Sequence, residues 1–152
     1  MVTPRSASLL ALRLSLALLM AVWGADKLAN PDHGVVVART FYRGVMATPG
    51  MMPVLGALQL ALGALLALGA LRRFTFPALA LVTGVTLVGV WRSVVDPWGW
   101  YLEGTNALFF PSLIIFAAVM VLVAFRDEDT VSLDARALAA ARRASHGVMR
   151  PR

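Results

Sequence analysis

The sequence predicts an all-α integral membrane protein: a four-helix bundle with both termini cytoplasmic and a short amphipathic helix in its first outer loop. Three observations carry that reading. Of 152 residues, 59% are hydrophobic and 14% charged, against about 45–50% apolar and about 25% charged in soluble domains. Apolar windows near the roughly 20 residues a bilayer requires cover residues 9–28, 51–71, 74–95 and 107–125. Finally, ten of the fourteen Lys and Arg residues fall on one side of these windows: Arg5, Arg13, Arg72, Arg73, Arg126, Arg136, Arg142, Arg143, Arg150 and Arg152. By the positive-inside rule that side is cytoplasmic, leaving Lys27, Arg39, Arg43 and Arg92 outside.

The absence of cysteine removes disulfides, thiolate metal sites and thiol relays. The two histidines, His33 and His146, lie in different regions and the apolar runs hold no carboxylate cluster, so neither a metal centre nor a bis-histidine haem is expected. The net charge of +6 is assigned to the cytoplasmic bias, not to nucleic acid.

The first window carries Arg5 before an apolar run, as a signal peptide does, but Val22-Trp23-Gly24 offers no small-residue cleavage site, so it is expected to stay as a span. At about 100° per residue, Arg13, Ala17, Met20, Gly24 and Lys27 share an arc of about 80°. Asp26 points away, as a solvent-facing helix end. Arg13 and Lys27, about 21 Å apart on the axis, are expected to mark opposite membrane boundaries. Trp23, Trp91, Trp98 and Trp100 form an outer aromatic belt or, in part, a binding surface.

The first outer loop, residues 29–50, places Val37, Phe41 and Val45 near one face at i, i+4 and i+8, which predicts a short helix lying on the outer membrane surface. In the second window Gly56, Gln59, Gly63, Ala67 and Ala70 form a small-residue stripe. Gln59 then acts either as polar glue between helices or as a deeper ligand contact. Arg72-Arg73 make a tight turn, so the second and third helices form an antiparallel hairpin.

The third helix carries Thr83, Gly84, Thr86 and Gly89, then Arg92 and Asp96 one turn apart and able to pair. Arg92, near Trp91, Trp98 and Tyr101, suits an anionic or quinone-like head group, or is a snorkelling arginine held by its own aspartate. The loop DPWGWYLEGTN is expected to be irregular and to close over the bundle. Asn106 would cap the fourth helix and Pro111 would kink it. Residues 1–126 thus form the membrane domain and 127–152 a basic cytoplasmic tail, where Ser132 caps a helix over 133–143.

The first helix, R-L-S-L-A-L-L-M-A-V-W-G-A-D-K-L, three further spans and a tail reading V-S-L-D together resemble the DoxX/DoxD-type family of small four-helix membrane proteins and the methylamine-utilisation MauE relatives. The carriers are Arg13, Gly24, Lys27 and Leu28, with Ser132, Leu133 and Asp134; the likeness spans about residues 8–135. It implies association with membrane oxidoreductases, a subunit of thiosulfate:quinone oxidoreductase among the family's members and many others without an established activity; this chain is read as a non-catalytic membrane subunit of an oxidoreductase or electron-transfer complex. Neither the long first loop nor WGWYLEGTN matches a family motif.

The sequence-level candidates for ligand contact are Lys27, Gln59, Arg92, Trp98, Trp100 and Tyr101, with quinone as the expected non-covalent ligand and no covalently bound cofactor. Gly24, Gly56, Gly63, Gly84 and Gly89 are the expected helix-packing positions. The expected partners are the lipid bilayer and a membrane or periplasmic protein, in a bacterial-type inner (cytoplasmic) membrane. The alternative is a structural accessory protein without its own ligand. A small transporter is disfavoured by the lack of an inverted repeat, a broken midplane helix or a buried acid.

Overall fold

The computed structural model describes residues 3–148; Arg150 and Arg152 of the basic tail lie outside the described residues. The described chain is helical, with no strand among these residues. Its helices are α1 (Pro4–Ala29), α2 (Pro31–Phe41), α3 (Met51–Leu68), α4 (Arg72–Gly89), α5 (Trp91–Val95), α6 (Pro111–Ala124) and α7 (Leu133–Val148).

Three segments are long and apolar enough to cross a membrane: Pro4–Ala29, Met51–Leu68 and Ala107–Ala124. Outward-facing Leu18, Leu58, Leu81 and Ile114 are each more than 60% exposed. So much outward apolar surface suits contact with lipid, not water. α4 falls short of the same measure; it opens on Arg72-Arg73 and stops at Val90, where a break separates it from α5. The predicted single helix over 74–95 is therefore two pieces.

Local chemistry sets the helix ends. Thr3 Oγ1 accepts the Ser6 N–H at 3.2 Å, and Pro4 occupies the first helical position where its missing N–H costs nothing. α1 stops at Asn30, which precedes Pro31, and Pro31 in turn opens α2. α3 ends on Gly69 at φ +63°, and Leu71 follows at φ +51°. These two left-handed residues reverse the chain between α3 and α4.

α1 buries Arg13, Leu16, Ala17, Met20 and Gly24 against α3, and α4 packs on α6. Leu9, Leu16, Met20, Leu66, Phe76, Leu79, Val119 and Leu122 form one apolar core shared by α1, α3, α4 and α6. A second cluster of Val35, Ala38 and Met52 ties α2 to the start of α3.

Three local expectations change. The Val37/Phe41/Val45 face does not run along one helix, since α2 stops short of Val45 and buries Gly34, Val35 and Ala38. Its helix ends at Phe41, Arg43 and Met46 turn left-handed, and Val45 is left 64% exposed. Pro111 does not kink a continuous helix: Asn106 caps a single 3₁₀ turn over Ala107–Phe109, and α6 starts on Pro111 itself. Arg72 is not a turn residue but the first, buried residue of α4.

Candidate functional site

The bundle has two polar ends of opposite character. One is closed by Arg13. Its side chain is 1% exposed, and its Nε stands 2.9 Å from Oδ2 of Asp129, which is 0% exposed. Nη1 donates to the carbonyls of Leu66 (2.7 Å) and Ala67 (2.9 Å), and Nη2 to Val131 (2.5 Å). The Leu66 and Ala67 carbonyls belong to the last turn of α3, where the i+4 donors run out; the Leu66 carbonyl also accepts the Gly69 N–H at 3.0 Å. One guanidinium therefore satisfies the end of α3, neutralises Asp129 and pins the segment after α6.

Gly69 makes room for this arrangement, because a Cβ there would stand 2.5 Å from Arg13 Nη1 and 2.5 Å from the Ser132 Cβ. Arg72 Nη1 donates to the carbonyls of Arg126 (2.6 Å) and Asp129 (3.0 Å). Asp134 accepts the N–H groups of Leu71 (3.1 Å) and Arg72 (2.8 Å) at the start of α4, where a helix favours negative charge. Ser132, 4% exposed, accepts from the Ala135 N–H at 3.3 Å at the head of α7. The V-S-L-D residues thus fasten the tail to the α3–α4 turn.

Asp129 is the residue that reading the sequence missed. It stood in the run Asp127-Glu128-Asp129, which looks like the start of a solvated tail. Its available signal was Arg13 itself, since a cation inside an apolar run calls for a counter-charge. Arg13 is a buried ion-pair partner.

The other end carries the candidate ligand residues apart from Gln59, which lies midway along α3. Lys27 is half-buried, with Nζ 3.4 Å from the Trp23 carbonyl; its stem lies against Gly56 and Gly34. Asp26 is engaged: its Oδ2 lies 2.7 Å from His33 Nδ1, which couples the end of α1 to α2. Gln59 is half-buried, and its Oε1 is buried without a hydrogen-bond partner among the described residues. Gly24 and Gly56 face each other backbone to backbone, Gly63 meets the Ala17 carbonyl, Gly84 lies against the Phe116 ring and Gly89 against the Tyr42 ring.

Arg92 does not pair with Asp96. Asp96, 5% exposed, accepts instead from the N–H groups of Trp100 (3.0 Å), Tyr101 (2.6 Å) and Leu102 (2.8 Å). It organises the loop from within, while Arg92 stacks over the Trp91 ring at 5.8 Å. The loop keeps its aromatics outside: Trp98, Trp100 and Tyr101 are 69%, 71% and 88% exposed. Trp98 and Trp100 stack at 5.0 Å with their planes 22° apart. The chain matches no family model, no curated protein and no solved structure.

A cavity of about 280 Å³ opens beside this loop, lined by Arg39, Arg43, Gly89, Trp91, Arg92 and Ser93 among others. Of the sequence-predicted ligand residues, Arg92 alone lines it; Lys27, Gln59, Trp98, Trp100 and Tyr101 do not.

The chemistry of Asp96 makes a pH prediction. Burial disfavours its charge, but the N–H groups of Tyr101, Leu102, Trp100 and Gly99 outweigh that and hold its pKa below the ordinary carboxylate value. A carboxylate whose pKa is depressed on folding contributes stability above its unfolded pKa and loses it as pH falls through the folded one. The loop is therefore expected to keep its order from neutral pH down through the usual carboxylate range and to loosen only below it. Fluorescence of the stacked Trp98–Trp100 pair checks this, and Asp96→Asn, which weakens acceptance from three N–H groups, should loosen the loop already at pH 7. An unchanged Trp spectrum in Asp96→Asn would count against the carboxylate as organiser.

Proposed function

We propose that this chain is a multi-pass membrane subunit of a redox assembly, of the DoxX type, and not itself a catalyst. In this reading α1, α3, α4–α5 and α6 are four spans of a bundle in a bacterial-type inner membrane. Both termini are cytoplasmic, and the Trp98 loop lies on the outer side. The Arg13–Asp129 end is then a closed cytoplasmic clasp, and the outer end is the working surface.

One observation carries the reading. The Trp98–Trp100 stack and Tyr101 stand exposed on a loop whose backbone is held by a buried Asp96. Aromatic rings of this kind are the anchors of protein interfaces and of membrane interfaces alike. A partner protein, or a quinone ring stacked on the indole pair, would find a preorganised surface there.

The test is purification from native membranes in mild detergent, followed by identification of co-purifying proteins and extraction of quinones. A stoichiometric redox partner or bound quinone that is lost on Trp98→Ala/Trp100→Ala supports the proposal. A partner without redox function, and no quinone, would replace it with the accessory reading.

A further inference from the structure

We infer that Arg39, Arg43 and Arg92 form a binding site for a phosphate-type oxyanion in the cavity between the end of α2 and the α4–α5 corner. All three line that cavity of about 280 Å³, and no Asp or Glu lines it with them. None of the three has an ion-pair partner among the described residues. Asp96, four residues after Arg92, has its oxygens taken by backbone N–H groups. Three arginines around one cavity with no acid among its lining residues give it a positive potential that favours entry of an anion. The planar guanidinium fork is the side chain best matched to a phosphate.

One further feature points to a built site. Ser93 lines the same cavity at 1% exposure. Its Oγ accepts from the Asn106 N–H at 3.0 Å, and its own hydroxyl proton has no acceptor among the described residues. That leaves a buried donor for an oxyanion. The volume lies just under the roughly 300–1,000 Å³ typical of sites for drug-sized ligands, which fits a free oxyanion or the phosphate of one lipid headgroup.

The experiment uses the full chain in neutral detergent. Inorganic phosphate is titrated with ³¹P line broadening as the readout, and retention of phosphatidylglycerol against phosphatidylcholine from mixed bicelles is followed by native mass spectrometry. Arg39→Gln, Arg43→Gln and Arg92→Gln are each expected to weaken binding about tenfold, the size of a lost charge-assisted hydrogen bond. Arg92→Lys should restore part of it. Arg73→Gln, at the opposite end and stacked on Phe74, should change nothing. Saturable phosphate binding that depends on the three arginines assigns a free oxyanion. Arginine-dependent retention of phosphatidylglycerol without phosphate binding assigns a lipid headgroup. Circular dichroism reports whether each variant is folded; should Arg43→Gln unfold, Arg39→Gln and Arg92→Gln decide. Binding indifferent to the arginines, or equally reduced by Arg73→Gln, overturns the site. Neither readout involves the redox partner, so the two proposals fail separately.

Discussion

Asp129→Ala is expected to destabilise the protein by about 3–5 kcal/mol, the usual cost of removing one partner of a buried ion pair. The side chains of Asp129 and Arg13 are 0% and 1% exposed and meet at 2.9 Å. Removing the acid leaves the guanidinium buried with carbonyl acceptors but no counter-charge. Arg72 loses the same partner, though at 3.9 Å its share is smaller. Thermal unfolding in detergent, followed by circular dichroism, should show a large fall in midpoint. Asp127→Ala, two residues away with a side chain 89% exposed, should stay within about 0.5 kcal/mol of the parent.

The double variant Arg13→Met/Asp129→Ala separates charge from hydrogen bonding. Removing both charges should recover part of the loss, because the uncompensated cation is gone. Recovery should be incomplete, since the Leu66, Ala67 and Val131 carbonyls then lose the donors of Arg13. Equal stability of Asp129→Ala and Asp127→Ala would mean that the Arg13 clasp holds nothing together.

The clasp also shows where sequence reasoning stops. The apolar windows and the turn after α3 are local patterns, and the structure carries helices there. The stripe of Arg13, Ala17, Met20, Gly24 and Lys27 is likewise a local property of helical geometry; its first four residues are buried on α1 and Lys27 is half-buried. Its partner is not local. Arg13 and Asp129 are joined only once α1, the α3–α4 turn and the segment after α6 have converged, so periodicity along α1 identifies the face but not what it meets. The cavity beside the Trp98 loop is hidden for the same reason: Arg39 and Arg43 follow one apolar run and Arg92 ends another, and only the fold sets them around one space. The α2 face and the Pro111 kink went astray for a different cause. Both readings extended a helix through residues whose backbone leaves it, at Arg43 and Met46 in one case and in the 3₁₀ turn before Pro111 in the other.

Gly24→Ala and Gly56→Ala are each expected to cost about 1–3 kcal/mol, the range for overpacking a fitted interface. A Cβ on Gly24 would stand 2.8 Å from the Gly56 carbonyl oxygen and 3.0 Å from the Leu60 nitrogen, and one on Gly56 would stand 2.7 Å from the Gly24 carbonyl oxygen. These obstacles are backbone atoms, which cannot swing aside as a side chain can. Relief requires α1 and α3 to move apart, and that loosens the contacts of Met20 and Leu66, both 0% exposed in the shared core. Because each substitution forces the same separation, the double variant should cost less than the sum of the two singles. Gly50→Ala is the control: nothing lies within 4 Å of its Cβ position and its φ is −70°, so it should be neutral to within about 0.5 kcal/mol. Additive losses in the double variant would mean that the two glycines act at independent contacts and that α1 and α3 do not share one close crossing.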